Sequence, residues 1–199
     1  MTNSKTANTP LPSGTRLTKA MGTDVLTDQK EYQSMVGSLM YAMLATRPDL
    51  AQWIQQISQY SSKPTKMHKK AAKHAFRYLN GTIDQGITFD GKLGLRLECW
   101  SDANWGGEEE RESVSGFVFT IAGGAVSYSS KKQSSVALSS TESEYMALLH
   151  TLKEQIWLLC FLKEIGYPTD QNTIYCDNQG AIALANNPEH HARTKHIDI

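Results

Sequence analysis

Long hydrophobic runs are missing from this 199-residue sequence. No stretch approaches the roughly twenty consecutive apolar residues that a membrane-spanning helix needs. Met1 to Arg16 are polar and contain Pro10 and Pro12, unlike a secretory signal. These absences predict a soluble, intracellular chain with no membrane partner. Cysteine is sparse as well: Cys99, Cys160 and Cys176 are odd in number, far apart and set among apolar residues. That pattern predicts reduced core thiols and argues against disulfides or a zinc site. Net charge is lacking too, since 20 Lys and Arg face 20 Asp and Glu. The balance hides a polarity, because residues 1–83 hold 11 basic against 4 acidic residues and residues 84–199 hold 9 against 16. A basic half suits phosphate contacts and an acidic half suits a cation site, although chance clustering gives the same sums. What the chain does have is 40% hydrophobic residues, enough for one good core or for a core with a small helical appendage.

Periodicity divides the chain. Residues 1–26 read as a flexible leader. Tyr32, Met35, Val36, Leu39, Met40, Met43 and Leu44 then recur at offsets of three and four, predicting an amphipathic helix capped by Thr27 or Asp28. Pro48 breaks that pattern, and Leu50, Trp53, Ile54 and Ile57 resume it in a second helix ending near Ser61 and Ser62. A third opens after Pro64 at Thr65 and stops at Gly81. It sets Lys66, Lys70, Lys73 and Arg77 along one face and Met67, Ala71, Ala75 and Tyr78 along another. Residues 27–84 are therefore expected to form an all-helical segment with one basic face.

Across residues 85–199 the period changes. Leu93, Leu95, Leu97 and Cys99 alternate with polar positions as in a half-buried strand, with Asp102 in the polar set. Ser113 to Ile121 and Ala125 to Ser129 are two more strand-like runs, and Gly123-Gly124 between them reads as a hairpin turn. Ser139 and Glu142 form a capping-box pattern ahead of a long helix ending at Gly166, apolar over a wide arc and expected to be well buried. Thr173 to Cys176 is a short strand and Gln179 to Asn186 a short helix. The order β-β-β-α-β-α predicts an α/β fold with a mixed sheet, three antiparallel strands followed by a crossover helix and a parallel strand.

This order places acids at the first strand (Asp102), early in the long helix (Glu142 or Glu144) and at the end of the fourth strand (Asp177). Carboxylates converging from strand ends and an adjacent helix repel one another unless a divalent cation lies between them. Hard oxygen ligands of this kind suit magnesium or manganese better than zinc. Each acid also has a plainer reading: Asp102 and Asp177 as turn or cap residues, and Glu142 as the capping-box residue. Two positions apart on a helix, Glu142 and Glu144 point about 200° apart, so only one faces a shared ion.

The strings YSSKKQSSVALSSTESEYMAL, SDANWGG, SVSGFVFT, IYCDNQGAIALANNP and RTKHIDI resemble the ribonuclease H domain of copia-type LTR retrotransposons, in that family's order and spacing. EYQSMVGSLMYAMLATRPDLA and HKKAAKHAFRYLNGT resemble the segment joining reverse transcriptase to ribonuclease H in the same Pol polyproteins, so the likeness covers residues 30–199. The resemblance implies a ribonuclease H-like fold and metal-dependent cleavage of the RNA strand of an RNA–DNA hybrid. It assigns Asp102, Glu144 and Asp177 as catalytic metal ligands, leaves Glu142 as the cap, and implies two Mg2+ or Mn2+ ions. As partners it implies the hybrid and the rest of the polyprotein, reverse transcriptase and integrase, within a cytoplasmic virus-like particle or the nucleus.

The family's fourth carboxylate follows a fifth strand, in a run resembling QLADILTK that does not occur in this chain. The expectation is therefore a sheet without that fifth strand and weak hydrolysis that the added tail would improve. Asp198 is a poor substitute, because HIDI opens a helix in the family pattern. The alternative is a non-catalytic retroelement remnant that keeps only the fold or nucleic-acid binding. No Tyr-Xaa-Asp-Asp string is present, so the chain is not expected to synthesise DNA. Lys66, Lys70, Lys73, Arg77, Lys131 and Lys132 are candidate contacts to nucleic acid, against the plainer reading of solvated faces. Trp100 and Trp105 flank Asp102 and suit a sugar edge or simple rim packing. His190, His191 and His196 are assigned no metal.

Overall fold

A computed structural model describes residues 4–12, 14–22, 24–106 and 112–186, arranged as two compact units, Met1–Ile87 and Thr88–Ile199. His190, His191, His196 and Asp198 lie outside the described residues. The first unit is helical. Asp28, not Thr27, caps α1 (Gln29–Thr46), its Oδ1 accepting from the Glu31 amide at 2.7 Å. Pro48 removes the next amide donor, and the chain turns through a 3-10 segment, Pro48–Leu50, into α2 (Ala51–Ser58). After Thr65, α3 runs from Lys66 to Gly81. Tyr32, Val36, Leu39, Leu50, Ile54, Ile57, Ala72 and Ala75 meet in one core, which is why their spacing of three and four persists through the proline break.

The stretch expected to be a flexible leader packs on this core. Leu11 and Leu17 are buried in it, the Tyr60 hydroxyl donates to the Leu17 carbonyl at 2.9 Å, and Leu26 bridges to Thr65. Burial of two leucines and these backbone bonds offset the entropy cost of ordering the segment.

Two buried polar groups lock the unit. His68 sits at the third position of α3, stacked on Tyr60 with ring centroids 4.0 Å apart. The Thr65 amide donates to its Nδ1 at 3.0 Å, so that nitrogen carries no proton, and Nε2–H donates to the Thr18 carbonyl at 2.9 Å. The bond accepted by Nδ1 exists only in the neutral ring, and burial lowers the His68 pKa against the opposing pull of the Thr18 carbonyl. Arg47 holds Asp49 in a two-pronged pair at 3.0 and 2.8 Å and reaches the Thr82 carbonyl and hydroxyl at 3.0 and 2.7 Å. The Tyr78 hydroxyl donates to Asp49 at 2.8 Å, closing the cluster.

The second unit is α/β with a mixed sheet, the ribonuclease H-like arrangement expected from the sequence. Its strands are β1 (Leu97–Asn104), β2 (Val114–Ile121), β3 (Gly124–Lys132) and β4 (Asn172–Tyr175), in the order β3-β2-β1-β4. β2 is antiparallel to β1 and β3, whereas β4 is parallel to β1, reached through α4 (Ser140–Glu164). α5 (Gln179–Asn186) follows. Leu97, Cys99, Phe117 and Phe119 form the sheet side of the core and Leu158 covers them from the helix.

Several boundaries differ from the sequence reading. β1 begins at Leu97 and not at Leu93, because Gly94 adopts a left-handed φ of 68° and pairing with β4 starts only at Leu97. The hairpin turn is Ala122-Gly123, with φ of 51° and 78°, as a two-residue turn of primed type requires. Gly124 instead opens β3, where an added Cβ would lie 2.5 Å from the Phe89 ring. An extra residue at Val126 makes a bulge, and β3 extends through Lys131 and Lys132. α4 is less buried than its apolar composition suggested: Ile156, Trp157 and Phe161 are exposed. Of the three cysteines only Cys99 is a core thiol, while Cys160 is exposed and Cys176 half-buried. Among the described residues no helix is long and apolar enough to cross a membrane.

Candidate metal centre

The three acids arrive from three elements. In the parallel pair, Trp100 lies opposite Tyr175, and continuing that register puts Asp102 level with Asp177, just beyond the C-terminal end of β4. Both aspartates are exposed. The third comes from α4, whose N-terminus is set by Ser139: its hydroxyl accepts from the Glu142 amide at 3.2 Å, and Glu142 turns back to accept from the Leu138 amide at 2.9 Å. That cap commits the Glu142 carboxylate to the helix end. Glu144, about 200° further round, is carried to the sheet side and is 7% exposed. Gln133 braces this turn, its amide donating to Ser115 Oγ at 2.8 Å and to the Ser143 carbonyl at 2.9 Å. Lower on the helix, Thr151 Oγ1 lies 3.0 Å from Ser101 Oγ.

Ligand atoms of Glu144, Cys176 and Asp177 all lie within 4.8 Å of one another. Asp102 is outside that trio but acts on Glu144 through its charge. Burial first, then the Asp102 and Asp177 charges, push the Glu144 pKa up to about 7, against the opposing pull of the Ala103 amide. Glu144 Oε2 is buried with no hydrogen-bond partner. A buried carboxylate oxygen left bare among other acids is destabilised as an anion and lacks only a positive partner, so the donor set fits a divalent cation. Cys176 is a poor partner for a hard cation, since burial and then the nearby carboxylates keep its thiol protonated.

The sequence reading missed what holds Asp177 in place. Asn178 caps α5, its Oδ1 accepting from the Ala181 amide at 2.9 Å, and Gly180 brings that first turn against α4. A Cβ at Gly180 would lie 2.8 Å from Thr141 Cγ2 and 3.1 Å from Asn178 Oδ1. A glycine inside a helical pattern is the signal, because its propensity cost needs a packing reason.

The basic candidates fall in both units. On α3, Lys66, Lys70 and Lys73 are exposed along one face, whereas Arg77 turns to the Lys5 carbonyl at 2.6 Å. In the sheet unit Lys131, Lys132, Gln133, His150 and Lys153 are among the residues lining a hollow of about 260 Å³. Lys132 pairs with Glu112, and burial together with Lys131 and Lys153 lowers the His150 pKa, opposed by Glu154. Trp100 stacks on Tyr175, centroids 5.3 Å apart, and Trp105 Nε1 donates to the Ala137 carbonyl at 3.1 Å, so both are tied to the scaffold around Asp102.

The whole chain is 43% identical over 205 residues to the retrovirus-related Pol polyprotein from transposon TNT 1-94 of Nicotiana tabacum and covers 15% of it. It is 40% identical over 201 residues to the corresponding polyprotein from transposon RE1 of Arabidopsis thaliana and covers 14% of that. The chain thus spans about one-seventh of the length of these relatives. A 128-residue stretch, 64% of this chain, is 48% identical to secreted RxLR effector protein 161 of Plasmopara viticola and covers 90% of it. No family model matches the chain, and no solved structure does.

Proposed function

The chain belongs to the retrovirus-related Pol polyproteins of copia-type transposons, and on that premise we propose that its sheet-bearing unit is a divalent-cation-dependent ribonuclease H acting on RNA–DNA hybrids. The observation that carries this reading is Glu144 Oε2, buried and unpartnered beside Asp102 and Asp177. Structural carboxylates are paired, as Asp49 is; one left bare among like charges is held for a ligand.

Two Mg2+ or Mn2+ ions, held by Asp102, Glu144 and Asp177, would supply an acidified water and charge neutralisation at the leaving oxygen. The chain's own part is positional. Asp102 lies on β1 beyond the stretch that β4 flanks, and Asp177 just past the end of β4, both exposed where a phosphate has access. Glu144 is fixed from behind by the capped start of α4 and the Gln133 brace. Lys131 and the hollow beside it offer positive charge to a nucleic-acid backbone, as do Lys66, Lys70 and Lys73 on α3. Choice of the RNA strand would come from its 2′-hydroxyls and the shape of the hybrid groove. The remaining polyprotein, with reverse transcriptase and integrase, is the proposed partner, and a virus-like particle or the nucleus the proposed setting.

The test is cleavage of an end-labelled RNA–DNA hybrid by the full chain. The RNA strand should be cut with magnesium or manganese, spared with a chelator, and spared by Asp102→Asn. A folded chain that binds manganese but leaves the RNA intact, even when a QLADILTK-type run is appended to it, would reject the nuclease.

A further inference from the structure

The proposed hydrolysis has no use for the thiol of Cys176, yet that thiol stands inside the acidic centre. Its Sγ is one of the three ligand atoms within 4.8 Å of one another, with the carboxylates of Glu144 and Asp177. Magnesium gains little from sulfur, whereas zinc and cadmium bind it strongly. We propose that Glu144, Cys176 and Asp177 form a mixed oxygen and sulfur site for a thiophilic divalent cation of the zinc or cadmium class. The site rests on the same convergence of carboxylates as the ribonuclease reading, but it requires no hydrolysis.

Distance, burial and competition all favour it. A zinc-sized ion about 2.3 Å from sulfur and about 2.1 Å from oxygen, in tetrahedral geometry, holds its ligand atoms about 3.5 Å from one another. A small side-chain rotation brings atoms already inside 4.8 Å to that spacing. The Glu144 carboxylate, 7% exposed, offers Oε2 without any hydrogen bond to break. Cys176 Sγ has only a weak contact to lose, at 4.0 Å from the Asn178 carbonyl oxygen. Among the described residues no other group of three such side chains meets these distances.

On coordination the S–H bond breaks, a metal–sulfur bond forms and the proton passes to the buffer. The sulfur keeps its electron pair and nothing is oxidised. Glu144 and Asp177 are then withdrawn from hard cations, so a thiophilic ion captured here displaces magnesium from the centre.

Cadmium chloride titrated into the reduced full chain gives the test, read by thiolate-to-cadmium absorption in the ultraviolet. The band should appear in the unaltered chain and in Cys160→Ser, and be lost in a Cys176→Ser variant whose circular dichroism matches the parent. A second arm needs no variant: cadmium should protect Cys176, and not exposed Cys160, from iodoacetamide, as read by peptide mass. Absence of the band, its survival in Cys176→Ser, or equal alkylation of Cys176 with and without cadmium overturns the proposal. Neither arm reads RNA cleavage, so failure of the nuclease and failure of this site are separate results.

Discussion

Arg47 in the helical unit and Glu144 in the sheet unit are buried to nearly the same degree, 6% and 7% exposed, and are treated in opposite ways. Arg47 is met by a carboxylate, a carbonyl and a hydroxyl, and its ring neighbour Tyr78 completes the shell around Asp49. Burial raises the Asp49 pKa, but the hydrogen bonds from Arg47 and Tyr78 outweigh it and hold that carboxyl below its usual range. Glu144 faces two further acids, and one of its oxygens has no partner. Depth alone therefore does not mark a functional site. A buried acid left without a partner among other acids does, because only a held proton or a bound cation offsets the cost of its charge.

Neutralising each cluster should have opposite consequences, and this is the largest expected contrast. Glu144→Gln should abolish magnesium-dependent RNA cleavage while raising the stability of the metal-free chain at pH 8, by at most about 3 kcal/mol for a pKa moved from 4.5 to about 7. Hydrolysis assays and urea denaturation check the two halves. Arg47→Ala should do the reverse, lowering stability by about 3 kcal/mol. That is the low end for breaking a buried pair, since the Asp49 side chain remains 35% exposed. Arg47→Lys should recover only part of the loss, because an ammonium cannot make the two-pronged contact.

Gly180→Ala tests whether the acidic cluster depends on the close approach of α5 to α4. A methyl group 2.8 Å from a β-branched threonine should cost about 2 kcal/mol in thermal denaturation and weaken manganese binding, although residue 180 is no ligand. Unchanged manganese affinity would show that Asp177 is positioned independently of this contact.

The same contrast should be visible in the pH dependence, where the two units should slope in opposite directions. For Glu144 the folded pKa is raised, so between 4.5 and about 7 the folded state holds more protons than the unfolded one. Metal-free stability falls as pH rises through that window. For His68 the folded pKa is lowered, so below 6.5 the unfolded state holds the extra proton and stability falls as pH drops. Glu144→Gln should remove the first slope and leave the second, as measured by denaturation at pH 5, 6, 7 and 8.

Much of this architecture was legible because its signals are local. Helical spacing, Pro48, Thr65 and Gly81 mark α1, α2 and α3, and the Ser139–Glu142 spacing marks the start of α4. Other features depend on residues distant in sequence and leave little local trace. The docking of Leu11 and Leu17 depends on a core assembled from residues 32–78. The late start of β1 depends on where β4 begins to pair. At the acidic centre, residue spacing suggested that Asp102, a helical glutamate and Asp177 would converge, but left Glu142 and Glu144 open until the family likeness was considered. The Glu142 cap now accounts for that residue separately. Apolar neighbours in sequence point the Cys176 thiol to a core. Its neighbours in space are carboxylates, which sequence alone does not show.

The most direct measurement is manganese binding to the full chain, followed by paramagnetic resonance of the free ion. The unaltered chain should deplete that signal, and Glu144→Gln and Asp177→Asn should each weaken binding by at least about tenfold, a loss that even outer-shell changes around a metal can produce. Equal manganese binding by the unaltered chain and a folded Glu144→Gln, Asp177→Asn double variant would contradict the account, since the buried acid would then have some purpose other than holding a cation.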